Sequence, residues 1–215
     1  MNTSKLWNIF NDFEIKAGKI CIGLSGGLDS RVLAGIISQR REIDLGFCFY
    51  TDETRCNIEY VEALVSRLNF KRFEFIDIVE HGKSNLSRAI KQLNHSYQLK
   101  DYTLVVAKHM DVITGLRKTK QSDRQYYYDD MFLVENGMGY ANTFKDCITP
   151  LWNPRLVGYM QSLPRSQRLF QRAYRQMIRE YLPELWEVPR CFETGKPVSL
   201  KWYVPKRIYS KIFGG

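Results

Sequence analysis

Apolar residues recur at helical spacing at Leu6, Ile9, Phe10 and Phe13, which predicts an amphipathic helix over residues 4–15. The apolar run Lys19–Leu24 predicts a short buried strand, and Val32, Leu33, Ile36 and Ile37 mark one face of the helix after it. "IDLGFCFY", Ile43–Tyr50, predicts a second buried strand. A second helix follows on Ile58, Val61, Leu64, Val65 and Leu68, and "FEFIDI", Phe73–Ile78, alternates like a third strand. Leu86, Ile90 and Leu93 give a further helical face; "YTLVVAKH" is expected as a helix leading to a fourth strand in "MDVITG".

Strands alternating with helices over this length predict an α/β fold, a parallel sheet with helices on both faces. Ligands of such sheets bind beyond the carboxyl ends of the strands. Ser25–Ser30, Tyr50–Thr54, Asp77–Gly82 and Thr114–Asp123 are the segments expected to face that cleft. The pattern changes near residue 125. "MFLVENGMGYANTF" predicts a hairpin around Asn136-Gly137, and "NPRLVGYMQSLP" a helix with Pro154 at its start. Leu169, Ala173, Tyr174, Met177 and Tyr181 mark a last helix closed by Pro183. Residues 1–150 are expected as the α/β domain, and 151–215 as a helical, basic C-terminal extension packed on it.

A hydrophobic fraction of 44% suffices for a packed core. No apolar run reaches the roughly 20 residues that span a bilayer, and the polar N-terminus does not read as a secretory signal. A cytoplasmic location without membrane attachment is therefore expected. The five cysteines, Cys21, Cys48, Cys56, Cys147 and Cys191, are scattered and form no CxxC, which argues against a disulfide framework or a structural zinc site. His81, His95 and His109 lack metal-ligand spacing. The formal net charge of +9 suits polyanionic partners, either nucleotide phosphates or nucleic acid, and equally suits a basic solvent face.

The candidate chemistry lies at the first strand-to-helix junction, "CIGLSGGLDSRVLAG". Gly26 and Gly27 admit close approach of backbone to an anion, and successive N–H groups before a helix N-terminus form an anion nest. Ser25 and Ser30 add hydroxyl donors. Asp29 would repel phosphate unless it holds a magnesium ion bridging to it. Neither a Walker loop nor a dinucleotide fingerprint is present.

"SGGLDS" between a strand and a helix resembles the PP-loop of the ATP-pyrophosphatase (adenine nucleotide alpha hydrolase-like, HUP) superfamily. The resemblance implies ATP bound with Mg2+, cleavage between the α- and β-phosphates, and activation of a substrate as an adenylate. It places Ser25, Gly26, Gly27, Leu28, Asp29 and Ser30 at the nucleotide, with Asp29 both catalytic and the magnesium ligand. Tyr50, Thr51 and Asp52 after the second strand join the nucleotide site; Asp52 and Glu53 read equally as a helix cap.

Leu28 in that motif, with "TPLWNPRLVGYMQSLPRSQRLFQRAYRQMIREYLPEL", is similar to the C-terminal synthetase domain of asparagine synthetases. Two features depart from it. Position 2 is Asn2 and the loop begins at residue 25, so no glutaminase domain fits; a separate glutaminase or another amine donor would be needed. The synthetase's second glycine-rich acidic motif is replaced by "TGLRKTKQSDR", residues 114–124, which resembles the middle motif of phosphoadenylyl-sulfate reductases. That likeness implies that Gly115, Arg117, Lys118 and Arg124 contact phosphate or sulfate, Gly115 at the nucleotide and Arg124 toward substrate or another polyanion. The positive charge of Arg117 and Lys118 would meet charge developing on the α-phosphate, and the segment reads alternatively as a solvated basic loop. The reductases' late catalytic cysteine motif is missing, since Cys191 stands in "PRCFETG".

Arg168, Arg172, Arg175 and Arg179 fall at i, i+4, i+7 and i+11 and would form one basic face that grips RNA, DNA or a carrier protein, or only faces solvent. The expected function is an ATP-dependent, AMP-forming ligase or amidotransferase with an unidentified carboxylate and amine acceptor. The alternatives are nucleic-acid modification or sulfur transfer by the same loop, and a non-catalytic nucleotide-binding subunit.

Overall fold

The computed structural model of the chain describes residues 2–15, 17–51, 58–80, 83–107, 141–150, 153–168 and 171–189. In chain order the elements are α1 (Thr3–Asn11), β1 (Lys19–Gly23), α2 (Leu28–Ser38), β2 (Leu45–Tyr50), α3 (Ile58–Val65), β3 (Phe73–Asp77), β4 (Val79–Glu80), β5 (Lys83–Ser84), α4 (Leu86–Tyr97), β6 (Tyr102–Val105) and β7 (Asp146–Ile148). They are followed by α5 (Pro154–Ser162), α6 (Arg165–Arg168), α7 (Arg172–Tyr181) and α8 (Pro183–Glu187).

The fold is α/β. Among the described residues five strands form one sheet in the order β3-β2-β1-β6-β7, and every neighbouring pair is parallel. The chain therefore builds outward from β1 to β2 and β3, then crosses back to place β6 and β7 on the other side of β1. The strand order is the doubly wound, Rossmann-like one, and it sets the topological switch point between β1 and β6. In open sheets of this order, ligands bind beyond the carboxyl ends of the strands at that point. β4 and β5 form a separate antiparallel ribbon beyond the end of β3.

Period-two burial splits the strands between two cores. Ile20, Ile22, Cys48 and Val105 turn to one face and pack with α1, α2, α3, α5, α7 and α8. Cys21, Leu45, Phe47, Ile76 and Leu104 turn to the other and pack with Ala89, Ile90 and Leu93 of α4. Burial on both faces explains why the strands read as apolar runs with little alternation. Leu156, Met160, Ala173, Tyr174, Met177, Ile178, Leu182 and Leu185 belong to the same core as α2 and β1. No helix among the described residues is long and apolar enough to cross a membrane.

Three sequence expectations change. "YTLVVAKH" is not a helix: Tyr102–Val105 is strand β6, paired with β1 from Lys19↔Tyr102 to Ile22↔Val105. Its β-branched and aromatic residues at the sheet centre outweigh the helical reading. β7, which pairs Leu104 with Cys147, carried no periodic signal because it has only three residues. Pro183 does not simply end the last helix; Pro183 is also the first residue of α8, a position proline favours because its missing N–H is not needed there. "MDVITG", the Asn136-Gly137 turn and His81 lie outside the described residues.

Candidate functional site

The Ser-Gly-Gly-Leu-Asp-Ser segment leaves the carboxyl end of β1, the central strand, beside the switch point. Leu24 N–H donates to Phe47 O at 2.8 Å, so the strand stays in register until the loop begins. The two serines then close the turn on itself. Ser25 N–H donates to Ser30 Oγ at 3.0 Å, and the two hydroxyl oxygens lie 3.1 Å apart. Gly27 N–H donates to Ser25 Oγ at 3.3 Å. Ser25 is exposed, Gly27 and Asp29 are half-buried, and Ser30 is buried.

Helix α2 starts directly from this turn. Asn2, Asn85 and Asn153 cap α1, α4 and α5, each with its side chain accepting a backbone N–H of the first turn. α2 instead has Gly27 at its N-cap, with no capping side chain. The opening N–H groups of a helix have no carbonyl partners within it, so this end offers donors and a positive dipole end to an anion. The glycines do not serve a left-handed backbone: Gly27 has φ −75° and ψ 173°. A Cβ on Gly27 would lie 3.3 Å from Ser25 Oγ, so any side chain there would press the serine hydroxyl aside by a few tenths of an ångström.

Asp29 occupies the first turn of α2. The hydroxyl of Tyr174, from α7, donates to Asp29 Oδ1 at 3.4 Å. Tyr174 is fully buried and stacks on Phe10 with ring centroids 5.4 Å apart. Burial, and then the Asp29 charge, push its phenol well above the ordinary range, so it stays a donor. Among the described residues no three His, Cys, Asp or Glu side chains converge to hold a metal. A single half-buried carboxylate fits magnesium, which takes one or two carboxylates and completes its shell with water and phosphate oxygens.

A residue next to the motif, unremarked in its sequence, proves central to its packing. Arg31 is fully buried. Its guanidinium donates to Gly26 O at 3.0 Å, Leu185 O at 2.8 Å, Val188 O at 2.6 Å and Pro189 O at 3.0 Å. The only hint in the sequence is an arginine one residue past the motif, inside an otherwise apolar helix face.

The remaining assigned residues divide into three groups. Tyr50 and Thr51 stand half-buried at the carboxyl end of β2, on the same edge of the sheet as the loop. Asp52, Gly115, Arg117, Lys118 and Arg124 lie outside the described residues. The basic stripe is not one helix face: Arg168 closes the short α6, and the left-handed Gln171 (φ 56°) precedes α7. Arg172, Arg175 and Arg179 do share α7, but Arg175 and Arg179 stack over Trp186 at 5.5 and 5.0 Å from its ring centroid. A cation–π role therefore accounts for part of the stripe. An open groove between α1 and α5, lined by Lys5, Asn8, Arg155 and Tyr159 among others, takes no residue from the loop.

Comparison of the chain with protein-family models and with curated proteins finds no match.

Proposed function

We propose that the protein is an ATP-dependent, AMP-forming enzyme of the PP-loop ATP-pyrophosphatase kind, with ATP and Mg2+ at residues 25–30. The observation that carries the reading is the position of Ser-Gly-Gly-Leu-Asp-Ser at the end of the central strand, beside the switch point and running into an uncapped helix N-terminus. Ser25, Ser30 and the amides of Gly26 to Asp29 would hold the pyrophosphate portion of ATP. Asp29 would ligate magnesium, whose charge draws negative charge off the phosphates and eases departure of pyrophosphate.

In this reading an oxygen of an acceptor carboxylate attacks the α-phosphorus, and the bond from that phosphorus to the bridging oxygen breaks. The bridging oxygen leaves with pyrophosphate. An external amine then attacks the activated acyl carbon, AMP departs and the amine loses a proton. Leu28 and the helices after Pro154 support an asparagine-synthetase-like, amide-forming branch. Arg117 and Lys118 are proposed to meet the charge on the α-phosphate, with Gly115, Tyr50, Thr51 and Asp52 around the nucleotide and Arg124 toward the acceptor. The proposed location is cytoplasmic, with a separate glutaminase or another source of amine.

The test is incubation with α-labelled ATP, Mg2+ and a cell extract, reading AMP formation and label on the acceptor. AMP that forms with wild type and not with Asp29→Asn supports the reading. Nucleotide binding without AMP favours a non-catalytic subunit; the absence of nucleotide binding refutes both.

The net charge of +9 and the exposed Arg172 and Arg179 favour a second reading, in which the acceptor is RNA or DNA. It requires retention on nucleic acid that falls steeply as salt rises.

A further inference from the structure

Arg31 offers a connection that the motif alone does not contain. A trans peptide points its C=O and the following N–H in opposite directions, and no described peptide bond is cis. Arg31 pins the Gly26 carbonyl inward at 3.0 Å. The N–H of Gly27 is thereby turned the other way, where it meets the hydroxyl of the exposed Ser25 at 3.3 Å. The inward bond to one atom of the peptide sets the outward aim of the other, and that outward N–H is the kind of donor a phosphate nest needs.

The same guanidinium reaches 154 to 158 residues along the chain, to the carbonyls of Leu185, Val188 and Pro189. Arginine suits this task because its planar fork presents five N–H donors in fixed directions. Burying its charge is expensive, and carbonyl oxygens converging from two segments offset that expense only while both segments stay in place. Two further contacts join α2 to the helices near the end of the described chain. Gly35, one turn after Arg31 on α2, lets Leu185 approach so closely that a Cβ there would fall 2.6 Å from its Cδ1. Tyr174 meets Asp29 from α7.

We propose that Arg31 is a positioning residue for the Ser25–Ser30 loop: it fastens the Gly26 carbonyl to the carbonyls of Leu185, Val188 and Pro189, so that the aim of the loop's amides depends on the docking of Leu182–Pro189. The consequence for nucleotide rests on the function proposed above; the coupling between the two segments does not. The chain after α7 is then a part of the loop's support, although it lies more than 150 residues from it in sequence.

Hydrogen exchange on the ligand-free full chain tests the coupling. Arg31→Met should raise exchange about tenfold or more in peptides covering 24–28 and 182–189 together, the loss expected for a charged hydrogen bond, while β2 and α4 keep their protection. Arg31→Lys, which keeps charge but not the fork, should fall between. Leu185→Ala leaves the loop's own residues unchanged and loosens α8 by opening a cavity. It should raise exchange at 24–28 in step with 182–189, and it carries the test if Arg31→Met does not fold. Unchanged exchange at 24–28 in Leu185→Ala overturns the proposal, as does loosening in Arg31→Met that spreads evenly over the sheet. Titration with magnesium-ATP separates the two ideas. Weaker binding to Leu185→Ala than to wild type extends the coupling to the ligand. If wild type binds no nucleotide, the function fails and exchange alone decides the coupling.

Discussion

Replacing Asp29 with asparagine separates a carboxylate that only complements the positive end of a helix from one that holds a metal at a phosphate site. As a structural group, Asp29 gains from the positive end of α2, an effect of about 0.3–1 kcal/mol. It also accepts the Tyr174 hydroxyl at 3.4 Å, a long bond that belongs near the low end of the usual 0.5–1.5 kcal/mol. Asparagine keeps an acceptor oxygen, so Asp29→Asn should cost the free protein only about 1 kcal/mol, or about 2–4 °C in Tm for a chain of this size. The effect on ATP should change sign with the metal. Two opposite unit charges, or two like ones, at about 5 Å and an effective dielectric constant of about 20 interact by roughly 3 kcal/mol before screening. In EDTA the Asp29 charge repels the phosphates, so the variant should bind ATP several-fold more tightly than wild type. With Mg2+ present the carboxylate becomes a ligand, and the variant should bind at least tenfold more weakly. Isothermal titration in the two buffers reads both arms. A change of the same sign in both, or no change in either, would refute the reasoning and leave Asp29 as a helix-terminus residue.

Three further outcomes follow from the packing and the titrating groups. Gly46→Ala would place a Cβ 2.4 Å from Phe73 Cδ2 and 2.5 Å from Phe70 Cε1, near the start of β2. Overpacking of about 1–3 kcal/mol should outweigh the smaller gain from a stiffer unfolded chain, so Tm should fall by several degrees, and Phe70→Leu in the same chain should recover part of it. The phenol of Tyr97 is pushed up to about 12, chiefly by its hydrogen bond to the Glu74 carboxylate. Its neutral form is favoured in the fold, so its contribution is complete below the ordinary value near 10 and is lost as pH rises from about 10 through 12; denaturant midpoints across that window should fall less steeply for Tyr97→Phe. Burial raises the Cys21 thiol far more than that of the half-buried Cys147. With Cys56 and Cys191 changed to serine, a thiol reagent on the native protein should modify Cys147 first and reach Cys21 only at the rate of unfolding.

The central strands were legible because each is an apolar run bounded by turn residues, and α2 because Val32, Leu33, Ile36 and Ile37 fall on one face. Tyr102–Val105 was misread because a short apolar run carries no period that tells strand from helix; its partner β1 decides. β7 has only Asp146–Ile148 and exists through pairing with β6. The loop and its place at a strand end were readable from Ser25 to Ser30. What surrounds it was not: the bonds of Arg31 and Tyr174 reach carbonyls and a carboxylate more than 140 residues away, and no local pattern encodes a contact of that separation. The arginine stripe shows the reverse case. Its spacing suggested one helix, and Gln171 interrupts it with a left-handed residue that spacing alone does not reveal.

The most direct measurement is release of pyrophosphate and AMP from α-labelled ATP by the purified chain with Mg2+ and extract. The account predicts AMP and pyrophosphate in equal amounts, dependent on Mg2+ and on Asp29. Release of ADP and inorganic phosphate, or AMP formation that persists unchanged in Asp29→Asn, would contradict it.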